Sequence, residues 1–274
     1  MRELEELRKL SKAIRCNVLD MTYKSGANGG HIGGAFSAAD ILAVLYGRVM
    51  KITPENCRDA ERDRFILSKG HCSIAHYAVL KEMGFVSEED LNSFEMSGSM
   101  FPTHELMNLD IGVESSNGSL GYGLSMGSGS ALNAKLKGLN YKVYVLLGDG
   151  ECNEGSNWEA AMFASKYNLD NLVAIVDVNG QSLDGFTDRI MPIYDMESVW
   201  AGMGWAVNSV NGNDLGQLLS ALQNLKRNTP NVILAHTVKG KGIASIEGKT
   251  GWHHARLSEQ QYLDFKKELV EAND

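Results

Sequence analysis

At 274 residues, with 43% hydrophobic and 22% charged positions and four prolines, the chain carries apolar material for one sizeable core and no linker-like stretch. A formal net charge of −8 argues against a nucleic-acid partner, because binding a polyanion relies on many lysines and arginines neutralising phosphates. Cys16, Cys57, Cys72 and Cys152 lack any paired spacing, which excludes a zinc cluster or disulfide framework and leads us to expect a cytoplasmic location; neither a secretory signal nor a run approaching the roughly eighteen apolar residues of a membrane span is read.

The amino terminus reads as an amphipathic helix with Leu4, Leu7, Ile14 and Val18 on one face. A glycine loop, Gly26–Gly30, follows, and Ser37-x-x-Asp40 has the form of a capping box opening a helix that turns Ile41, Val44 and Leu45 inward. Phe65–Leu67 is a short strand, and helices are expected at His71–Met83 and Leu120–Leu136. Strands at Lys142–Leu147 and Leu172–Val176 flank a helix at Ser156–Tyr167, opened by the capping box Ser156-Asn-Trp-Glu159. Trp205–Asn208 and Asn231–Ala235 read as strands around a helix at Leu215–Leu225, and Ser258-Glu-Gln-Gln261 caps a final helix. This alternation predicts an α/β fold: a doubly wound, mainly parallel sheet with helices on both faces, forming one domain over 1–274.

The run Val143-Tyr-Val-Leu-Leu-Gly148-Asp149-Gly150 places an acidic residue between two glycines directly after a strand, at the sheet edge where open α/β folds bind ligands. Asn179 follows the next strand, and a right-handed crossover between parallel strands brings both ends to the same edge. A carboxylate alone repels phosphate; with a divalent cation the interaction changes sign. Asp149, the Asn179 amide oxygen and a nearby backbone carbonyl suit Mg²⁺, leaving positions for phosphate oxygens and water.

Gly148-Asp149-Gly150 with Asn179 resembles the thiamine diphosphate signature, and the run from Gly148 to Gly185 resembles the amino-terminal half of transketolase. The resemblance implies a thiamine diphosphate-binding fold and a metal set of Asp149, Asn179 and the Gln181 carbonyl, with Mg²⁺ replaceable by Ca²⁺ or Mn²⁺. It further implies cofactor contacts from Gly148, Gly150, Glu151 and Asn179, and from the backbone of Gly118 and Leu120 against an aminopyrimidine ring. His71 and His254 are implied to contact the diphosphate, with His253 an adjacent competitor, while His31 and His104 face the sugar. These four histidines and Glu154 form the expected catalytic set, Glu154 aligning with a glutamate near the subunit interface.

Each of these residues has a plainer reading. A lone histidine is most often a hydrogen-bonded structural group, and His76 and His236 are assigned that role. Glu159 is explained by its capping box, and the Gly118–Gly123 cluster by a tight turn and close helix packing.

The resemblance covers essentially the whole chain but only about the first half of a full-length transketolase. The pyrimidine-binding and C-terminal domains, which supply the activating glutamate and phosphate-gripping arginines in that family, are therefore expected on a partner chain in an α2β2 assembly. The implied reaction is transfer of a two-carbon ketol unit between sugar phosphates, with pentose phosphate exchange as the default. The alpha component of a 2-oxo acid dehydrogenase and a deoxyxylulose phosphate synthase-like enzyme are alternatives in the same chemistry. A nicotinamide-dependent oxidoreductase is disfavoured because no GxGxxG follows a predicted strand, and a noncatalytic scaffold is the remaining reading.

Overall fold

In the computed structural model, residues 2–271 are described; the expected domain of 1–274 also includes residues 1 and 272–274, which lie outside them. In chain order the elements are α1 (Arg2–Lys24), α2 (Ile32–Val44), β1 (Arg64–Leu67), α3 (Ser73–Glu82), α4 (Glu88–Asn92), α5 (Gly123–Lys137), β2 (Val143–Gly148), α6 (Gly155–Lys166), β3 (Leu172–Val178), α7 (Thr187–Ile190), α8 (Met196–Gly202), β4 (Ala206–Asn211), α9 (Leu215–Gln223), β5 (Asn231–His236) and α10 (Glu259–Glu271).

The strands form one sheet in the order β1-β2-β3-β5-β4, every neighbouring pair parallel. Successive side chains of a strand point to opposite faces, and the core divides accordingly. Tyr144, Leu146, Val173 and Ile175 join a cluster with α1, α2, α3, α9 and α10. Val143, Val145, Leu147, Leu172, Ala174 and Val176 join a second cluster with α5, α6 and the tryptophans of the α8 region. Burial on both faces explains why β2 and β3 read as continuous apolar runs rather than alternating ones.

All thirteen residues of α2 are buried, which makes it the central helix of the first layer. It corrects two expectations. The segment Ile32–Val49 reaches a membrane span's length and composition, with mean hydropathy 1.3, yet 83% of it is buried inside the protein. Nor does a helix begin at Ser37: α2 is continuous from Ile32, and Ser37 and Asp40 lie within it. Ser37 donates to the Gly34 carbonyl and to Asp177, and Asp40 forms a buried ion pair with Arg15, so distant partners recruited a pair that looked like a local cap.

The box read at Ser156–Glu159 is likewise not formed. A 3₁₀ turn at Gly150–Asn153 carries the chain into α6 one residue earlier, with Glu154 as N-cap, and Ser156 donates to the Gly121 carbonyl at 2.9 Å. The box at Ser258 is present: its hydroxyl accepts from the Gln261 amide, and the Gln261 side chain accepts from the Ser258 amide. His76 is structural, bonded to the Tyr46 hydroxyl and the Glu105 carboxylate in the core. His236 ends β5 at the surface, against Ser209.

Candidate functional site

The carboxyl ends of β1, β2, β3 and β5 lie along one edge of the sheet, and each delivers a polar group there. Asp149 follows β2 and is buried at 7% exposure; its carboxylate accepts from the Gly150 amide at 2.8 Å and the Gly180 amide at 2.6 Å. The second contact joins the two loops that the sequence brackets as Asp149 and Asn179. Gly180 makes it possible by taking φ +74°, a conformation costly for any residue with a Cβ. Burial, reinforced by the nearby Asp177 charge, pushes the Asp149 carboxyl up to about 6.

Asn179 is oriented from below. Its amide nitrogen donates to Asp177 at 3.0 Å, which fixes which end of the amide is oxygen, and that oxygen accepts from the Gln181 amide at 3.1 Å. Asp177, wholly buried in β3, also accepts from Lys69 after β1 at 2.5 Å, from Ser37 of α2 at 2.6 Å and from Thr237 after β5. Burial alone would raise its pKa; the Lys69 ammonium and these donors hold it below the usual carboxylate value.

Lys239, in the loop after β5, brings its ammonium to the carbonyls of Gln181 at 3.3 Å and Ser182 at 3.2 Å, and to His253 Nδ1 at 3.3 Å. Burial, with Lys69 nearby, lowers this lysine to about 8. Lys69, Asp177 and Lys239 do not stand out as a site in the sequence, whereas His253 is read there as the neighbour competing with His254. A charge at Asp177 inside the otherwise apolar run Leu172–Val178 is the available signal, because a buried strand tolerates one only when it is paired.

The histidines converge. The His31 ring centroid lies 5.5 Å from His71, 5.9 Å from His104, 5.2 Å from His253 and 4.7 Å from His254. His71 is 4.9 Å from His253, the ring that meets Lys239, whereas His254 packs edge-on against His31. Burial, then the neighbouring imidazoles and Lys239, hold His31 down to about 3; burial with Lys239 and Lys69 holds His253 to about 4, and burial with Lys69 depresses His71 as well. These three imidazoles are therefore neutral at pH 7, each able to donate and to accept one hydrogen bond. His31 Nδ1 is buried without a hydrogen-bond partner.

Two loops close the sides. Gly118 lies beside His104, and the backbone of Asn117 and Gly118 presses so closely on Gly70 that a Cβ there would stand 2.9 Å away. Gly121, at φ +88°, packs against Glu154 and Ser156, which leaves Glu154 exposed at the start of α6, on the rim. Leu120, between them, is half-buried. Glu151 departs from its expected place among the cofactor contacts. Its carboxylate is buried and accepts from Ser68, the Gly121 amide and the Gly148 amide. The Gln181 side chain donates to the Gly248 carbonyl, leaving only its backbone oxygen toward Lys239.

The donor set suits a hard divalent cation. Among the described residues no three His, Cys, Asp or Glu side chains form a metal cluster, and the candidate ligands are one carboxylate, one oriented amide oxygen and one carbonyl that already rests against an ammonium. A parallel doubly wound sheet with such a loop pair at its carboxyl edge defines a diphosphate-binding class of fold.

Comparison gives the family. Residues 7–271 match the family described as transketolase, thiamine diphosphate binding domain, and the chain belongs to it. One of the subunits of the apulose-4-phosphate transketolase of Phocaeicola vulgatus is 38% identical over 271 residues, covering 98% of this chain and 95% of that protein. The 6-deoxy-6-sulfo-D-fructose transketolase subunit SqwG of a Clostridium species is 40% identical, covering 96% of each. Human transketolase is 38% identical over 92% of this chain but 40% of its own length. Among solved structures, transketolases from Leishmania mexicana and Campylobacter jejuni superpose with a TM-score of 0.87 at 29% and 31% identity, over 96% and 98% of this chain. The chain spans 41% and 43% of those two proteins.

Proposed function

We propose that this chain is the diphosphate-binding subunit of a split transketolase, working with a partner chain that carries the pyrimidine-binding domain to move a two-carbon ketol unit between sugar phosphates. The observation that carries the reading is the meeting of Asp149 with the Gly180 loop beside the histidine cluster, to which Lys239 links it through the Gln181 carbonyl and His253. Near-full-length coverage of relatives that are themselves named as one subunit of a transketolase supports the need for a partner, and an α2β2 assembly gives two equivalent sites. Four free cysteines support a reducing, cytoplasmic setting.

In this reading Asp149, the Asn179 amide oxygen and the Gln181 carbonyl hold Mg²⁺, for which Ca²⁺ or Mn²⁺ can stand in, and Lys69 and Lys239 supply positive charge for the diphosphate. Bound thiamine diphosphate supplies the electron sink for breaking the carbon–carbon bond beside a ketose carbonyl. His31, His104 and His254 line the approach, where imidazoles exchange hydrogen bonds with sugar hydroxyls and shuttle a proton at the carbonyl oxygen.

The test is calorimetric titration of Mg²⁺ with thiamine diphosphate into the chain together with the partner that co-purifies with it. Asp149→Asn should lower affinity roughly 100-fold or more, as expected for losing the charged cation ligand, while the ligand-free variant still unfolds cooperatively. Unchanged affinity in that variant contradicts the proposal.

A further inference from the structure

Glu151 is a buried carboxylate for which the proposed chemistry has no use. It lies two residues beyond Asp149, at 3% exposure, and its bonds reach three separate segments. One oxygen accepts from the Ser68 hydroxyl, at the end of β1, and from the Gly121 amide at 2.9 Å; the other accepts from the Gly148 amide at 3.0 Å, at the end of β2. Ser68 extends the arrangement by accepting from the Gly123 amide at 3.2 Å, where α5 begins.

The loops so joined have different neighbours. Gly148 leads directly into Asp149 and the candidate cation site. The Gly121 loop begins at Asn117 and Gly118, which press on Gly70 beside His71, and its far end is held by Ser156 through the Gly121 carbonyl. Gly121 thus has its amide fixed by Glu151 and its carbonyl fixed by α6. We propose that Glu151 is a positioning residue that locks the Gly118–Gly121 loop to the Gly148–Gly150 loop, setting the separation of the cleft's two walls before a ligand arrives. This rests on the reading that one cofactor spans both walls.

Only a carboxylate satisfies this position. Glutamine keeps the shape but has a single acceptor oxygen, so its NH₂ group must face either the Gly121 or the Gly148 amide, donor against donor. Asp149 keeps its own two backbone donors in that variant, so the cation loop retains its internal bonds. The consequence is selective: a ligand that touches both walls loses more than one that touches the cation loop alone.

The experiment compares the full chain with Glu151→Gln, each measured for affinity together with the partner that co-purifies with it. In the ligand-free protein, hydrogen exchange at the Gly121 and Gly148 amides should accelerate roughly tenfold or more, the scale of one charge-assisted hydrogen bond, while Val145 and Ile175 in the sheet core keep their protection. Affinity for thiamine diphosphate with Mg²⁺ should fall roughly tenfold, and affinity for inorganic pyrophosphate with Mg²⁺ less than about threefold. Unchanged exchange at the two glycines, or equal losses for both ligands, overturns the proposal. Should Glu151→Gln fail to fold, Ser68→Ala removes one donor and leaves the carboxylate; it should show the same asymmetry at smaller size, and equal losses there overturn the proposal too. If the unaltered chain with its partner binds neither ligand, the proposed function fails, while the exchange comparison still decides whether Glu151 holds the loops.

Discussion

The Asp149 carboxyl combines two opposing demands: it must be ionised to hold a cation, yet burial and Asp177 raise its proton affinity to about 6. Below that pH a cation has to displace a proton, so affinity for Mg²⁺ with thiamine diphosphate should decline by up to about tenfold per pH unit as pH falls from 6 toward 5, and level off above 7. Titrations across this range check it; a flat profile contradicts it. The histidines are shifted in the opposite sense, downward, with a parallel consequence for acid. With His31 near 3 and His253 near 4, folding holds these rings neutral while unfolded imidazoles take protons below about 6.5, so their contribution to stability is lost as pH falls from there toward 4. Asp149 and Asn179 are legible in the sequence because strand, glycine and polar ligand are contiguous there. Asp177 and Lys239 are not, since their meaning comes from groups delivered by other strands. Glu151 defeats a linear reading because nothing in the sequence tells which way a loop carboxylate turns.

At the level of elements, β1, β2, β3 and β5 are visible as apolar runs while the edge strand β4 is half polar, and the doubly wound topology follows from the alternation of strands with helices. The helix starts are less visible. Ser37 and Ser156 look like caps, yet each hydroxyl is bonded to a residue far along the chain, and tertiary structure outweighs the local pattern. Helix α5 shows the same dependence in its glycines. A Cβ on Gly127 would stand 2.5 Å from Val145 Cγ2 of β2, whereas one on Gly129 meets nothing within 4 Å. Gly127→Ala should therefore destabilise the chain by about 1–3 kcal/mol through overpacking. Gly129→Ala should stabilise it by roughly 0.5–1 kcal/mol through helix propensity alone. Urea denaturation of both variants reads the contrast, and equal effects would mean that α5 does not sit this close to the sheet.

For the whole molecule, the comparisons with human transketolase and with the Phocaeicola vulgatus relative describe the same domain in two contexts, covering 40% of one protein and 95% of the other. The isolated chain should then bind cofactor weakly and give negligible ketol transfer, with turnover appearing only when the partner chain is added; steady turnover by the purified chain alone contradicts the split-enzyme reading. The proposed dependence on a partner has a physical rationale. One sheet edge supplies the cation loop, the lysines and the histidines, but a cofactor gripped at its diphosphate end still needs its other end enclosed to exclude water.

The four tryptophans are unequally placed. Trp158, Trp200 and Trp205 pack one against the next, tilted and then edge-on, with centroids 5.2 and 4.9 Å apart, behind the sheet. Trp252 lies apart from them, against Phe265, with its carbonyl bonded to Gly33 and its chain neighbour His253 in the histidine cluster. The chain therefore carries two built-in optical channels, an indole triad reporting the integrity of the rear layer and a single indole beside the cleft. Replacing Trp252 with phenylalanine separates them, so ligand occupancy can be followed in the intact assembly without an added label.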